Sequence, residues 1–442
     1  MALSQSSNVP DIAQPTMIRP LEMSHGSDTE ESWTATSVKI LSIIYKYRLT
    51  KAADAHDKWI EGTPKFLNTI GNFVRKTEPI HMCIPAFPFK SANKVYKVLG
   101  TLPDRAEEAA LEHMNTMCVE ISSIYRQGAK LLIISDGLVY NDLLTIPDRD
   151  VWAYGQELRA MSATKFPHLE FSRLRQLVAI DLPEQLDEVT YVANATNFRR
   201  ALLNQFGRDG LDVHKLIQED EDTRLTFCGH SRYLKNDLRY IFPKSEIRGS
   251  NQYKRDVKFL AREMIRRGFA FAAAIKHCFP SHLRLSIHQS TGEHRISVSL
   301  LPTKTSFTTP WMCAIAYAAD GTLTSAPKGD FEADDRYQLV YHAARPSHFL
   351  ESSALILGET TGSSKLNRAL GGEADSDGGE RKAETGCEYC GKTTHGVWRC
   401  FDKYPHLAPR WVQEKMAAEK KVNIAAAEFA GDANGNGAKI QS

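Results

Sequence analysis

The sequence lacks a marked excess of charge of either sign. Its 442 residues carry 55 Lys and Arg against 53 Asp and Glu, a formal net charge of +2 at pH 7. A balance this even gives no global electrostatic reason to expect a nucleic-acid or membrane partner. Any partner of that kind must be recognised by a local patch.

Long apolar runs are also absent from the sequence. No stretch approaches the ~20 apolar residues that a membrane-spanning helix needs. The N-terminus has no basic segment followed by an apolar core, the pattern of a secretion signal. Residues 1–30 contain Ser, Pro and acidic residues and are predicted to be disordered. These absences predict a cytoplasmic protein with no membrane partner.

Cysteine is scarce and unevenly placed. Five of the eight cysteines are scattered, mostly within apolar runs, and three are bunched near the C-terminus. Scattered cysteines in apolar surroundings are typical of small core residues in a reducing compartment. The bunched cysteines, which lie beside a histidine, are typical of metal ligands.

Residues 31–358 alternate strand-like and helical patterns. Ile80–Pro85 and Lys130–Ser135 are short continuous apolar runs, which predict strands buried on both faces. Between them, Asp104 and Glu107 have capping-box spacing ahead of a helical apolar stripe. A strand, a helix and a second strand joined by so long a crossover predict a parallel βαβ unit.

Later segments extend this pattern. Further strands are predicted at Leu169–Leu174 and Leu177–Asp181, and further helices at Glu184–Phe206 and Asn251–Lys276. Three closely spaced strand-like segments predict an antiparallel addition: Leu283–His288, Ile296–Leu301 and Trp311–Tyr317. The predicted fold class is α/β, a Rossmann-like mostly parallel sheet flanked by helices with an antiparallel addition, plus a small C-terminal zinc knuckle.

The C-terminal fifth of the chain has a different composition. Residues 359–385 are rich in Gly, Ser and charge, which predicts a flexible linker. Residues 386–402 have CCHC zinc-knuckle spacing, and 403–442 are predicted to form a short helix and a disordered tail. One histidine and three cysteines complete a tetrahedral structural Zn²⁺ site: Cys387, Cys390, His395 and Cys400.

The knuckle resembles the gag-type knuckles of retroelements. Such modules bind single-stranded nucleic acid through aromatic and basic side chains. Tyr389 and Trp398 would stack on bases here, with Lys392 and Arg399 nearby. A protein-contact module is the alternative interpretation, because one knuckle with few basic residues binds nucleic acid weakly.

Seven segments between roughly residues 35 and 350 carry a family resemblance. They are, in order, Phe87-Pro-Phe-Lys-Ser91, Leu102-Pro-Asp104 with Glu107-Glu108, Ser135-Asp-Gly137 followed by Asp142, Arg262-Glu-Met-Ile-Arg266 with Arg267-Gly268, Phe279-Pro280, Arg284-Leu-Ser-Ile-His288 and Thr309-Pro-Trp311. The ordered set resembles the isocyanide (isonitrile) synthase family, also called pyoverdine/dityrosine biosynthesis proteins. Two positions depart from the family pattern, since Leu138 stands where Arg follows Ser-Asp-Gly and Met312 where His follows Thr-Pro-Trp.

The resemblance implies a reaction with two substrates. The α-amine of an amino acid condenses with the C2 ketone of ribulose 5-phosphate, and fragmentation of the sugar leaves that carbon as the isocyanide. No metal or redox cofactor is implied for this step. Holding a phosphate and a carboxylate needs Lys or Arg, and moving the protons needs acid/base groups.

The predicted catalytic residues are Lys90, Asp136, Arg284 and His288. Lys90 follows a Pro-bounded turn, where it would bind phosphate or form a transient imine; the alternative is a surface Lys after a turn. Asp136 is either a general base or the first residue of an Asp-Gly turn. Five residues are predicted to bind substrate: Ser91, Asp104, Asp142, Ser286 and Trp311. Asp142 would alternatively cap a helix, and Trp311 would alternatively pack in the core.

The motif Arg284-Leu-Ser-Ile-His288 predicts one polar face on a strand. Arg284, Ser286 and His288 alternate along it, so their side chains point the same way. Arg is rarely buried unless it is paired, which suggests an anion clamp beside a His proton shuttle. A metal site built from His282, His288 and His294 is the rival interpretation.

Two other functions stay open on the sequence. The same fold would form an N-formyl amino acid, as in dityrosine-type relatives. Alternatively, an inactive enzyme-like domain is joined to a nucleic-acid-binding knuckle, which Leu138 and Met312 motivate.

Overall fold

The computed structural model describes residues 28–49, 57–135, 137–183, 185–241 and 249–352. A five-stranded sheet forms its centre, in the order β3-β2-β1-β4-β5, and every neighbouring pair is parallel. The strands are β1 (Ile80–Pro85), β2 (Ala129–Ser135), β3 (Leu169–Arg173), β4 (Leu283–Ser286) and β5 (Ile296–Ser297). An all-parallel sheet has both faces covered, which explains the continuous apolar runs of β1 and β2.

Eleven helical segments of the described chain surround the two sheets. They are α1 (Asp28–Lys46), α2 (Trp59–Lys76), α3 (Arg105–Ile124), α4 (Gly137–Tyr140), α5 (Asp148–Lys165), α6 (Leu174–Leu177), α7 (Glu188–Phe206), α8 (Val213–Glu219), α9 (Glu221–Ile241), α10 (Ser250–Cys278) and α11 (Lys328–Glu332). Two short 3₁₀ turns lie at Asn141–Leu144 and Pro310–Met312. None of the helices within the described residues is both long and apolar enough to cross a membrane.

Side chains of β1 alternate between two hydrophobic cores. Ile80, Met82 and Ile84 pack with α1, α2 and α3, whereas Cys83 packs on the opposite face with α7, α9 and α10. Each fully buried aliphatic side chain contributes roughly 1.5–3 kcal/mol through the hydrophobic effect. The two cores fix the central strands between helical layers.

A second, four-stranded sheet has the order β7-β6-β9-β8. Its strands are β6 (Ala314–Tyr317), β7 (Leu323–Ala326), β8 (Tyr337–His342) and β9 (Arg345–Glu351). β6 pairs antiparallel with β7 and parallel with β9, and β8 pairs antiparallel with β9. This sheet is therefore mixed.

The α/β class with a mostly parallel sheet is confirmed. The prediction that the three later segments form an antiparallel addition is wrong. β4 and β5 extend the parallel sheet, and the segment predicted as Trp311–Tyr317 supplies β6 of the separate mixed sheet. Leu177–Asp181 is not a strand, because α6 ends at Leu177 and irregular chain follows. The predictions for residues 359–442, including the zinc knuckle, lie outside the described residues.

The strand order defines a switch point at the middle of the sheet. From β1 the chain moves outward to β2 and β3 on one side, and later returns to place β4 and β5 on the other. In open α/β sheets, ligands bind in the crevice outside the carboxyl ends of strands at such a point. The segments after β1 and β4 are therefore where a site is expected.

Candidate active site

A cavity of about 900 Å³ opens at the switch point. Its wall includes Pro88 and Phe89, which follow β1, and Ile287 and His288, which follow β4. α9 contributes one helical face, with Leu225, Gly229, Tyr233 and Asn236, and the segment Leu301–Met312 contributes the facing wall. The volume is at the upper end for small-molecule sites, so it can hold two small substrates.

The turn after β1 is strained and tightly packed. Phe87 has φ +55°, a left-handed conformation that bulky residues rarely adopt. Its ring lies 5.2 Å from that of Trp311, and the Ser91 backbone N–H donates to the Trp311 carbonyl at 2.9 Å. A Cβ on Gly137 would lie 2.4 Å from the Pro88 carbonyl oxygen, so the close approach of the two turns requires glycine. These contacts hold two parts of the cavity wall together.

Lys90 lies behind the cavity wall. Its side chain is 1% exposed, and its Nζ lies 2.8 Å from Asp104 Oδ2 and 2.6 Å from Glu107 Oε2. It also donates to the Pro310 carbonyl at 3.3 Å. The two carboxylates outweigh burial and raise the pKa of Lys90 to about 12. Lys90 therefore stays charged and ties the β1 turn and the Pro310–Met312 turn to the start of α3. Its catalytic role stays a prediction.

Asp104 and Glu107, the two acidic partners of Lys90, also form hydrogen bonds with their surroundings. Asp104 caps α3 by accepting from Ala106 N at 2.9 Å, and Glu107 accepts from Asp104 N at 3.0 Å. The Tyr154 hydroxyl donates to the other Glu107 oxygen at 3.1 Å. Burial raises the pKa of Glu107 to about 7, against the opposing effect of the Lys90 ammonium. The predicted capping box is present, and the substrate-binding role of Asp104 stays a prediction.

A pair of histidines faces the cavity. His230 from α9 and His288 after β4 both line it, and their rings meet edge to face with centroids 5.0 Å apart. Burial lowers the pKa of His230 to about 4, with a further contribution from the Arg295 cation. Burial, His230 and Arg295 lower the pKa of His288 well below its usual value. Both imidazoles are therefore neutral near pH 7 and able to accept protons.

Arg284 and Ser286 lie on the β4 face that is directed away from Leu283 and Leu285. Arg284 Nη1 lies 3.5 Å from the Ala272 carbonyl of α10, and its buried Nε has no hydrogen-bond partner among the described residues. The Ser286 hydroxyl accepts from His288 N at 3.1 Å, which orients the turn that carries His288. Neither Arg284 nor Ser286 lines the cavity as His288 does.

The remaining predicted residues occupy different places. Asp142 receives two bonds from Arg267, at 2.6 and 3.0 Å, and lies outside the cavity wall. Asp136 lies outside the described residues. Of the two departures from the family pattern, Met312 lines the cavity beside Trp311, whereas Leu138 is buried in a hydrophobic core.

The cavity wall is cationic. Its described residues include five Lys or Arg side chains and neither Asp nor Glu: Lys46, Arg48, Lys97, Arg232 and Lys304. Lys97 is buried and the other four are exposed, so the latter stand where the cavity meets solvent. Lys46 is paired with Glu120 and Lys97 with Asp237, and the remaining cations of the wall favour anionic ligands.

His230, Lys97 and Arg232 were not singled out by the sequence. Leu225, Gly229, Arg232 and Asn236 recur at helical spacing, a pattern that a solvated helix face also shows. Only the position of α9 against the ends of β1 and β4 makes this face a cavity wall.

The rival metal site is not assembled. The rings of His282 and His81 are tilted with centroids 5.3 Å apart, and His294 is exposed beside Glu293, whereas His288 lines the cavity. Across the described ranges, no group of three or more His, Cys, Asp or Glu is placed to hold a metal ion. The four knuckle ligands lie outside the described residues.

Comparison with known proteins identifies related chains. A 51% identical relative over 313 residues is an isocyanide synthase-NRPS hybrid from Aspergillus fumigatus, with 71% of this chain and 20% of that protein covered. An L-tryptophan isonitrile synthase from Fischerella ambigua is 30% identical over 289 residues, with 65% and 85% covered. The chain spans 20%, 43% and 50% of three Aspergillus fumigatus relatives.

The fold has a solved counterpart. The crystal structure of the PvcA protein from Pseudomonas aeruginosa matches with a TM-score of 0.61 at 26% identity, covering 71% of this chain and 99% of that one. The sequence profile of the family described as "Pyoverdine/dityrosine biosynthesis protein" matches residues 70–340, more than half of the chain. The resemblance carried by the ordered motifs is confirmed: the chain belongs to the pyoverdine/dityrosine biosynthesis protein family.

Proposed function

We propose that this chain is an isocyanide synthase, which converts the α-amine of an amino acid to an isocyanide with ribulose 5-phosphate as the carbon donor. The observation that carries the proposal is the cavity at the switch point, whose described wall holds five cationic side chains and no carboxylate. The relatives named as isocyanide and isonitrile synthases support isocyanide formation, and the sugar-phosphate donor rests on the family resemblance.

Both substrates are anionic, and the wall is suited to them. One carries a phosphate and the other a carboxylate, and Lys and Arg bind such groups through charge-assisted hydrogen bonds. The exposed cations Arg232 and Lys304 lie in the cavity wall, where they can meet incoming anions. Apolar residues such as Phe89, Met264 and Met312 provide surface for the amino-acid side chain.

The histidine pair supports the proton chemistry. The amine must lose protons before its nitrogen becomes part of the isocyanide. The sugar hydroxyls must exchange protons as the carbon skeleton of the sugar fragments. His288 is the predicted base, and it is neutral at pH 7 because burial lowers its pKa. His230 lies edge-on to it, and because a charge on either ring opposes protonation of the other, only one of the two holds an extra proton at a time.

A direct assay tests the proposal. The purified full chain is incubated with ribulose 5-phosphate and a pool of valine, leucine, tyrosine and tryptophan, and the products are analysed by mass spectrometry. An isocyanide that forms only when the sugar phosphate is present supports the proposal. An N-formyl product, one water heavier, would assign the dityrosine-type reaction instead. Consumption of neither substrate would contradict both reactions.

A further inference from the structure

Three lysines that follow β1 lie in very different surroundings. Lys90 is 1% exposed and faces two carboxylates, Lys94 is 51% exposed, and Lys97 is 7% exposed. Of the three, Lys97 alone lines the cavity at the switch point. The motif draws attention to Lys90, but the structure brings the side chain seven residues later to the substrate space.

Lys97 is fixed by a buried acidic partner. Its Nζ pairs with Asp237 Oδ1, and the Asp237 side chain is 0% exposed. Asp237 also accepts a short hydrogen bond from the Ser91 hydroxyl. Burial raises the pKa of Asp237, and the Lys97 cation and the Ser91 donor oppose that shift. The carboxylate is therefore enclosed by the two groups that it binds.

The ammonium keeps donor capacity for a ligand. Lys97 has three N–H donors, one of which is used by Asp237. Its Nζ lies 5.4 Å from the centroid of the Tyr233 ring, which limits its movement on a second side. A cation held in this way loses little side-chain entropy when it binds, so each contact that it makes is efficient.

We propose that Lys97 contacts an oxyanion of the substrates in this cavity, and that Asp237 and Ser91 are the residues that position it. The oxyanion is the phosphate of the sugar or the carboxylate of the amino acid. This inference rests on the proposed function for the identity of the ligands, whereas its test needs binding alone.

The test is calorimetric titration of the full chain with six probes separately: ribulose 5-phosphate, inorganic phosphate, valine, leucine, tyrosine and tryptophan. Lys97→Met should weaken the binding of every probe that carries the contacted oxyanion by about 10- to 100-fold, because one charge-assisted hydrogen bond is lost. If ribulose 5-phosphate and inorganic phosphate both weaken, the oxyanion is the phosphate; if only an amino acid weakens, it is the carboxylate. Lys94→Met is the matched control and should bind as the wild type does.

Asp237→Asn separates a binding role from a structural ion pair. This variant breaks the Lys97–Asp237 ion pair but keeps the Lys97 ammonium. Its affinity for the probes should therefore lie closer to that of the wild type than the affinity of Lys97→Met does. Lys97→Arg should recover part of the binding, because the cation is restored. Equal losses in Lys97→Met and Asp237→Asn would overturn the proposal in favour of a structural pair.

A second variant serves as a control in case Lys97→Met does not fold. If Lys97→Met fails to fold, the double variant Lys97→Met/Asp237→Asn leaves no uncompensated buried charge and replaces it in the titration. Wild-type affinity in that variant, or no binding of any probe by the wild type, would overturn the assignment of Lys97. Binding by the wild type without isocyanide formation would remove the proposed reaction alone, and the Lys97→Met titration would still decide the inference.

Discussion

Replacing Lys90 with Met should cost the fold far more than its turn position suggests. The sequence alone predicts a small effect, since a cation exposed after a turn contributes little to stability. The structure instead shows Nζ 2.8 and 2.6 Å from two buried carboxylates, with the Lys90 side chain 1% exposed. Removing one partner of a buried pair costs about 3–5 kcal/mol, because the remaining charge is left without compensation.

This loss of stability should appear as a lower melting temperature, Tm. With an unfolding entropy of about 2.1 cal/mol/K per residue, a folded body the size of residues 28–352 changes by roughly 0.7 kcal/mol per degree. Lys90→Met should therefore lower Tm by about 4–7 °C in a calorimetric scan at pH 8. Lys94→Met, in which an exposed side chain 3.9 Å from Asp150 is lost, should change Tm by about 1 °C or less.

The pH dependence of the loss identifies its cause. Without Lys90, burial raises the pKa of Glu107 unopposed, so the carboxyl takes up a proton as the pH falls. A group whose folded pKa is raised is most favourable to the fold at low pH, so the penalty should be smaller at pH 5.5 than at pH 8. Adding Glu107→Gln should recover part of the stability at pH 8. A Lys90→Met variant as stable as Lys94→Met at pH 8 would refute this reasoning.

The other predictions concern protons and the C-terminal segment. His288→Gln should lower kcat about 10²–10⁴-fold with little change in KM, and wild-type turnover would leave His288 only an orienting role. In the wild type, lowering the pH from 7.5 to 5.5 should reduce the free energy of unfolding, because the folded His230 imidazole, with a pKa of about 4, stays neutral while the unfolded one protonates below pH 6.5. In His230→Asn, urea unfolding should show a reduction that is smaller by about 1.4 kcal/mol. Equal losses would contradict a buried neutral His230. Truncation after Gly358 should preserve turnover, and residues 386–402 should bind one Zn²⁺ that a chelator removes.

Local signals in the sequence were sufficient for the central strands and the first crossover helix. β1 and β2 are continuous apolar runs, and Asp104 and Glu107 form the predicted capping box at the start of α3. Strand pairing is decided by contacts distant in sequence, which explains the error at β4 and β5. Both are short, and nothing within them indicates a parallel partner.

The candidate site was predictable in outline but not in its contacts. The motifs mark both turns at the switch point, and His288 lies in the cavity wall. Its neighbours were not predicted: the cation that lowers its pKa is Arg295, which also lowers the pKa of His230. Those partners come from the loop before β5 and from α9, and only the tertiary fold brings them to His288.

Isotope transfer from ribulose 5-phosphate tests the proposed origin of the isocyanide carbon. Ribulose 5-phosphate labelled with ¹³C at C2 is incubated with the full chain and the amino acid that it accepts, and the product is observed by ¹³C NMR. We expect the label to appear in the isocyanide carbon. An unlabelled isocyanide, or label recovered only in unreacted sugar phosphate, would contradict it.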